Sequence, residues 1–324
     1  MNLANTYEHL NNDLQIIEKT LDQTIQANHP VLRQAATQLL QAGGKRIRPV
    51  FVLLSSQVGN YDLEQTKRVA VPLELIHMAT LVHDDVIDDA ELRRGQPTIK
   101  KRYGNKVAMY TGDYLLSIAL EKIATLENKQ LHKVLSHAIV EVCLGEIEQI
   151  KDQFNWQQHL RHYLRRIKRK TALLIATSCK LGAIVGETPS NVANKLYKYG
   201  YYVGMSYQII DDILDFTSTP EELGKPTGSD LIQGNITLPT LFAMQDNDFN
   251  ERLQYTFSNK EKTDSTDRFN ELIDMIVQSD AIKHSYDVSN WYLTKALDAL
   301  DSLPNSEAKN TLESIANYIG KRRK

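Results

Sequence analysis

Residues 69–88 read VAVPLELIHMATLVHDDVID. Apolar side chains recur at Val69, Leu73 and Ile76, with Thr80 a further turn along. These are the three- and four-residue steps of a helix, not the alternation of a strand. The stretch ends on Asp84, Asp85 and Asp88. On a helix, spacings of three and four put side chains on one face. Carboxylates crowded there repel one another unless something cationic binds. The pattern returns 211 − 84 = 127 residues later, where Asp211-Asp212-Ile213-Leu214-Asp215 follows a second apolar helical stretch.

Helical spacing extends outward from these segments. Leu14, Ile17 and Leu21 carry it near the start, and Val134, Ala138, Val142 and Gly145 in the middle. Strand-like alternation with hairpin turns is not evident. Glycine is 15 and proline 9 of 324 residues, below the usual ~7% and ~5%. So few backbone breakers predict an all-α chain. The breaks are short, at Gly43-Gly44, Val58–Asn60, Arg94–Pro97, Gly186–Ser190 and Pro220–Gly228, with a polar loop at Ser258–Asp267. No repeat or low-complexity tract divides the chain, so a single domain over 1–324 is expected.

Charge and composition narrow the function. Lys plus Arg is 38 and Asp plus Glu 40, a formal −2, which excludes a basic nucleic-acid binder and an acidic disordered chain. Two cysteines, Cys143 and Cys179, make neither a disulfide framework nor a Cys-rich zinc site. The first residues lack the basic and apolar regions of a signal peptide, and no apolar run reaches the ~18–20 residues that span a bilayer. A cytoplasmic protein is expected, with at most peripheral membrane contact.

Two aspartate clusters suit hard divalent cations. Mg²⁺ typically takes a few carboxylates, several waters and a substrate phosphate. One cluster alone reads better as a solvated acidic face; two, each interrupted by an apolar pair and embedded in apolar sequence, do not. Bases accompany them. Gly43-Gly44-Lys45-Arg46-Ile47-Arg48-Pro49 joins a permissive double glycine to three cations, a pattern that suits an anion as well as a helix end with a basic turn. Arg93 and Arg94 follow Asp88 by five and six residues, so they lie near the first cluster. Lys170-Thr171 pairs a charge with a hydroxyl, beside Lys168 and Arg169, which read as solvated. Lys225 sits in a Gly/Pro loop after the second cluster. Gln208 shares a face with Asp211 and Asp212. His77, seven residues before Asp84, reads equally as a core histidine or a ligand contact.

In this order, G-G-K-R-x-R-P, D-D-x-x-D, R-R-G, K-T and Q-x-x-D-D-x-x-D resemble the trans-prenyltransferase family of isoprenyl diphosphate synthases, most strongly over residues 40–240. The stretches 82–97, 109–116, 141–151 and 204–239 place the resemblance with the catalytic large subunit of two-component bacterial members. It implies an isoprenoid-synthase-type bundle of long antiparallel helices around a central active-site cavity. It implies Mg²⁺-dependent head-to-tail elongation of an allylic diphosphate, farnesyl diphosphate, by isopentenyl diphosphate. The product is a long all-trans chain, heptaprenyl or similar, for the menaquinone side chain. It assigns metal binding to Asp84, Asp85, Asp88, Asp211, Asp212 and Asp215. Arg93, Lys170 and Lys225 would bind the allylic diphosphate, and Lys45, Arg48, His77 and Arg94 isopentenyl diphosphate. Thr171 and Gln208 would turn oxygen dipoles to the allylic cation. A smaller non-catalytic subunit is the implied partner, with a homodimer as the form of the chain alone.

Two details refine this. In the family a bulky aromatic one or two turns before the first aspartate stops elongation early. Here the positions are Ile76, Ala79 and Thr80, and the small Ala79 and Thr80 imply a long product. Many members also carry a lysine in a G-K-x-T setting after the second motif, where this chain reads Gly234-Asn235-Ile236-Thr237. One cationic contact is absent, which fits a subunit that works with a partner. A terpene cyclase is disfavoured by the isopentenyl-binding set, a regulatory subunit by the intact aspartates. A di-iron bundle needs two Glu-x-x-His motifs, and only Glu74–His77 fits.

Overall fold

The computed structural model describes residues 3–26, 28–44, 46–93, 95–220, 226–258 and 265–322, with backbone alone at residues 3, 4, 265 and 266. The described chain is helical, as expected. A single antiparallel hairpin among the described residues pairs Leu92 with Pro97 and Arg93 with Gln96. Strands of two residues are too short to leave a period-two pattern, and the turn is marked in sequence only by Gly95, at φ +74°.

The chain forms two compact units, and neither is one continuous stretch. The first comprises residues 1–139, 174–200 and 302–315; the second comprises 140–173, 201–301 and 316–324. The long helix Ser190–Thr217 contributes residues 190–200 to one and 201–217 to the other.

The first unit is built on the helix Leu63–Ile87. Asp62 caps its start, accepting from Glu64 N at 2.8 Å, which satisfies one of the donors a helix leaves open. Apolar residues cover nearly its whole circumference: Val69, Val71, Leu73, Leu75, Ile76, Met78, Ala79 and Val82 are all buried. Such a helix belongs in a core rather than at a surface. The helices Ile47–Gln57 and Asn105–Ala124 pack on it. Gly112 sets the last contact, since a Cβ there would lie 2.3 Å from His83 Nε2.

The second unit packs the 201–217 half of the second aspartate helix with the short helices Ser229–Ile232 and Leu238–Ala243 and the longer Asn247–Ser258, Ser265–Gln278 and Ala281–Asp301. Phe216, Leu231, Ile236, Phe249, Leu253, Phe269 and Leu272 are among its core. Gly204 lets backbone approach backbone, because a Cβ there would stand 2.5 Å from Ala172 Cα.

One irregularity bears on the site. The helix Leu160–Ile167 runs into a π-turn over Lys168–Ala172 before α-helix resumes at Leu173. The residues are KRKTA, with no glycine or proline to announce it. Single π-turns occur often at functional sites, and this one carries Lys170 and Thr171.

Candidate functional site

The two aspartate motifs lie in different units, so each half is built from its own elements. Three predicted residues, Lys45, Arg94 and Lys225, lie outside the described residues.

In the first unit, Asp84 and Asp85 occupy the last turn of the helix Leu63–Ile87 and Asp88 is its C-terminal cap. The unbonded carbonyls there already give a partial negative charge. Three carboxylates at that end cost stability and favour a cation. Asp85 is buried, Asp84 half-buried and Asp88 exposed. Arg93 reaches Asp85 Oδ1 through Nε at 2.9 Å and Nη2 at 2.7 Å, the proximity its spacing required.

His77 and Arg93 line a cavity with Gln38, Arg46, Glu74 and Asp85. Gln38 Oε1 and Glu74 Oε2 are buried there without a hydrogen bond. Arg48 and His77 are half-buried. Ile76 and Ala79 are buried, and Thr80 donates its hydroxyl to the carbonyl of His77 at 2.8 Å.

Arg46 is the residue of the basic run that motif reading passed over. Its φ is +44°, in the left-handed region uncommon for a side-chain-bearing residue. The guanidinium donates to Glu18 Oε1 (3.0 Å), buried Glu74 Oε1 (3.2 Å) and Leu40 O (2.8 Å). It fixes the chain between two helices. Sequence could show its charge but not partners 28 residues away on either side.

In the second unit, Asp212 is the centre of a buried chain of hydrogen bonds. Tyr163 Oη donates to its Oδ2 at 2.7 Å and Gln208 Nε2 to its Oδ1 at 2.8 Å. Thr171 Oγ1 in turn donates to Gln208 Oε1 at 2.5 Å. Thr171 and Gln208, predicted together, are brought together. Burial, with the charge of nearby Asp230, pushes the Asp212 carboxyl up to about 7, although the Tyr163 and Gln208 donors and Arg166 oppose this. The carboxylate is short of positive charge.

Asp215 is engaged by the loop that follows the helix. Ser229 Oγ donates to its Oδ1 at 2.9 Å and Asp230 N to its Oδ2 at 3.1 Å. Asp211 pairs with Arg322, whose guanidinium also stands 5.3 Å over the Tyr207 ring. That pairing, 111 residues apart, was beyond sequence reading.

Lys170 donates to the neutral Gln149 Oε1 at 2.9 Å. Arg169, expected to be solvated, is instead held by Glu141 (3.0 Å) and Glu148 (2.5 Å), because the π-turn sets it against the helix Lys129–Asp152. Gln149, Tyr163, Arg166, Lys170, Gln208, Asp212, Asp230, Asn235 and Thr237 line a second cavity.

Among the described residues, no three His, Cys, Asp or Glu side chains converge on a point that could hold a metal ion. The donor chemistry still suits Mg²⁺, which takes hard oxygens but completes its shell with water and phosphate rather than an all-protein cage. The charge-poor Asp212 and the acidic helix end at Asp84–Asp88 are the places such an ion would stabilise.

An all-α chain with two D-x-x-D helices and attendant bases defines a class, and comparison with known proteins gives the same one. The profile of the polyprenyl synthetase family matches residues 29–276, and the chain belongs to that family. It is a trans-prenyltransferase, catalysing long-chain prenyl elongation. Its relatives include heptaprenyl diphosphate synthase component 2 of Bacillus subtilis, 56% identical over 323 residues that cover 100% of this chain and 92% of that protein. The crystal structure of heptaprenyl diphosphate synthase from Staphylococcus aureus superposes with a TM-score of 0.92 at 45% identity, covering 100% of this chain and 99% of that one. A polyprenyl synthase from Caulobacter crescentus, crystallised with calcium and isoprenyl diphosphate, gives 0.93 at 27% identity over 100% and 98% of the two chains. No helix among the described residues is long and apolar enough to cross a membrane.

Proposed function

We propose that the chain extends farnesyl diphosphate by successive additions of isopentenyl diphosphate to heptaprenyl or similar-length all-trans diphosphate. It does so in the cytoplasm, as the catalytic component of a two-component enzyme, and the product supplies the menaquinone side chain. The observation that carries this is the 56% identity, over the full chain, to a protein named as component 2 of heptaprenyl diphosphate synthase.

Asp84, Asp85 and Asp88, with Asp211 and Asp212, would hold Mg²⁺, which when bound supplies Lewis-acid stabilisation of a diphosphate leaving group. Asp215, already holding the loop at Ser229 and Asp230, supports that set. Arg93, Lys170 and Lys225 would add cationic contacts to the allylic diphosphate, and Lys45, Arg48, His77 and Arg94 would bind isopentenyl diphosphate. The allylic C–O bond breaks with its electron pair leaving on diphosphate. The isopentenyl double bond forms the new C–C bond, and the proton released passes to the departed diphosphate. No protein base is needed.

Thr171 spends its hydroxyl proton on Gln208, and Gln208 is fixed by Asp212. The Thr171 oxygen lone pairs are thereby left to face a developing cation, a preorganised dipole of the kind that lowers such barriers. Ala79 and Thr80, small side chains behind the first motif, would leave room for a growing chain.

The test is incubation with Mg²⁺, farnesyl diphosphate and isopentenyl diphosphate, with and without the smaller component from the same source. Chain elongation to about heptaprenyl length, stronger with the partner, is expected. A cyclic hydrocarbon, or no elongation in any combination, refutes the reading.

A further inference from the structure

The second-unit cavity holds two polar groups that the roles above leave unused. Arg166, on the helix Leu160–Ile167, is buried, with its side chain 7% exposed. It lines the cavity four residues, one helical turn, before Lys170. Its Nη1 donates to Gln158 Oε1 at 2.8 Å and its Nη2 to the carbonyl of Ile236. Both acceptors are neutral. They orient the planar fork without cancelling its charge, which is shared with Asp152, paired with it at 3.6 Å, and acts on Asp212 across the same cavity. A buried guanidinium held in this way retains charge for another anion.

The second group is Thr237. It is 5% exposed, it lines the same cavity, and its hydroxyl is buried without a hydrogen-bond partner. Leaving such a group unpaired costs free energy, so the arrangement is matched to something that accepts a hydrogen bond there. Arg166 grips the carbonyl of Ile236, between Asn235 and Thr237, and so fixes the position of both. Lys170, likewise held by a neutral amide, completes a wall of donors.

We propose that Arg166 and Thr237 bind the diphosphate of the allylic substrate beside Lys170, with Arg166 supplying the positive charge on the wall where Asn235 is neutral. This rests on the elongation reading for the identity of the anion.

The experiment measures binding of inorganic pyrophosphate with Mg²⁺ to the full chain by calorimetry, with denaturant unfolding of each variant. Arg166→Gln is expected to weaken pyrophosphate binding roughly tenfold or more, the scale of one charge-assisted hydrogen bond. Adding Asn235→Lys to it is expected to restore most of that loss. Thr237→Val keeps the side-chain shape and removes an unpaired hydroxyl, so its unfolding midpoint should equal or exceed that of the parent while pyrophosphate binds several-fold more weakly. Should Arg166→Gln fail to fold, Thr237→Val decides alone. Pyrophosphate affinity equal to the parent's in the folded variants overturns this proposal and leaves the elongation reading intact. A parent chain that binds no pyrophosphate with Mg²⁺, either alone or with the smaller component present, overturns the elongation reading itself.

Discussion

The two aspartate motifs are nearly the same in sequence and quite different in place. In the first, the carboxylates crowd the end of a helix, Asp88 is exposed, and Asp85 is met by an arginine eight residues on. In the second, Asp212 and Asp215 are buried and tied into the fold by Tyr163, Gln208, Ser229 and the backbone of Asp230. Five letters of motif therefore do not specify five equivalent roles. The first set stands at a helix end with one carboxylate open to solvent; the third aspartate of the second set holds a loop.

The sharpest way to break that contrast is to truncate both. Asp84→Ala should lower kcat/KM by about a thousandfold or more, roughly 4 kcal/mol of transition-state stabilisation, with little change in unfolding. Asp215→Ala should instead cost about 2–4 kcal/mol of stability, since two hydrogen bonds to a buried charge are lost. Radiolabelled isopentenyl incorporation and urea unfolding measure the two. If Asp215→Ala loses turnover as Asp84→Ala does and melts normally, the contrast is wrong.

Positions five residues before each motif sharpen it further. Ala79 stands there on the first helix and Ser206 on the second, where its hydroxyl meets Ser289 at 2.7 Å. Ala79→Phe is expected to shift the product to shorter chains, together with an overpacking cost of about 1–3 kcal/mol. Ser206→Ala is expected to cost about 1 kcal/mol and leave product length alone. Thin-layer analysis of the dephosphorylated products separates them, and an unchanged distribution in Ala79→Phe removes the chain-length role.

The smallest effect comes from the thiols. Burial pushes the Cys179 thiol, in the first unit, up to about 12, whereas Cys143 is exposed. Unfolded, a cysteine gives up its proton near pH 8.5. The folded chain then binds more protons than the unfolded one above that pH, so this group's contribution to stability falls as pH rises from about 9. Cys179→Ala should flatten that slope slightly. One thiol, Cys143, should label at pH 8 in the native protein, and in Asp215→Ala as well if the damage stays in the second unit.

The helical class was legible because periodicity and the scarcity of glycine and proline are local signals. So was the nearness of Arg93 to Asp85, which eight residues of chain enforce. What escaped was long-range or unannounced. Tyr163 meets Asp212 across 49 residues, and Arg46 sits in a basic run that reads equally well as ligand-binding. The interleaving of the two units follows from contacts that no window of sequence contains.

The π-turn at Lys168–Ala172 has a consequence for comparing chains. It is in effect one extra residue accommodated inside an otherwise continuous helix. Each α-helical residue advances the side chains by about 100°. Deleting any one residue of the five would let ordinary helix close the gap, and the chain would still fold locally. The helix on either side would keep its place, whereas the same deletion in the regular helix nearby would swing one side by about 100° against the other. Two relatives differing by that single residue would match on both sides of the turn and differ only in the side chains that the turn itself presents, Lys170 and Thr171 among them.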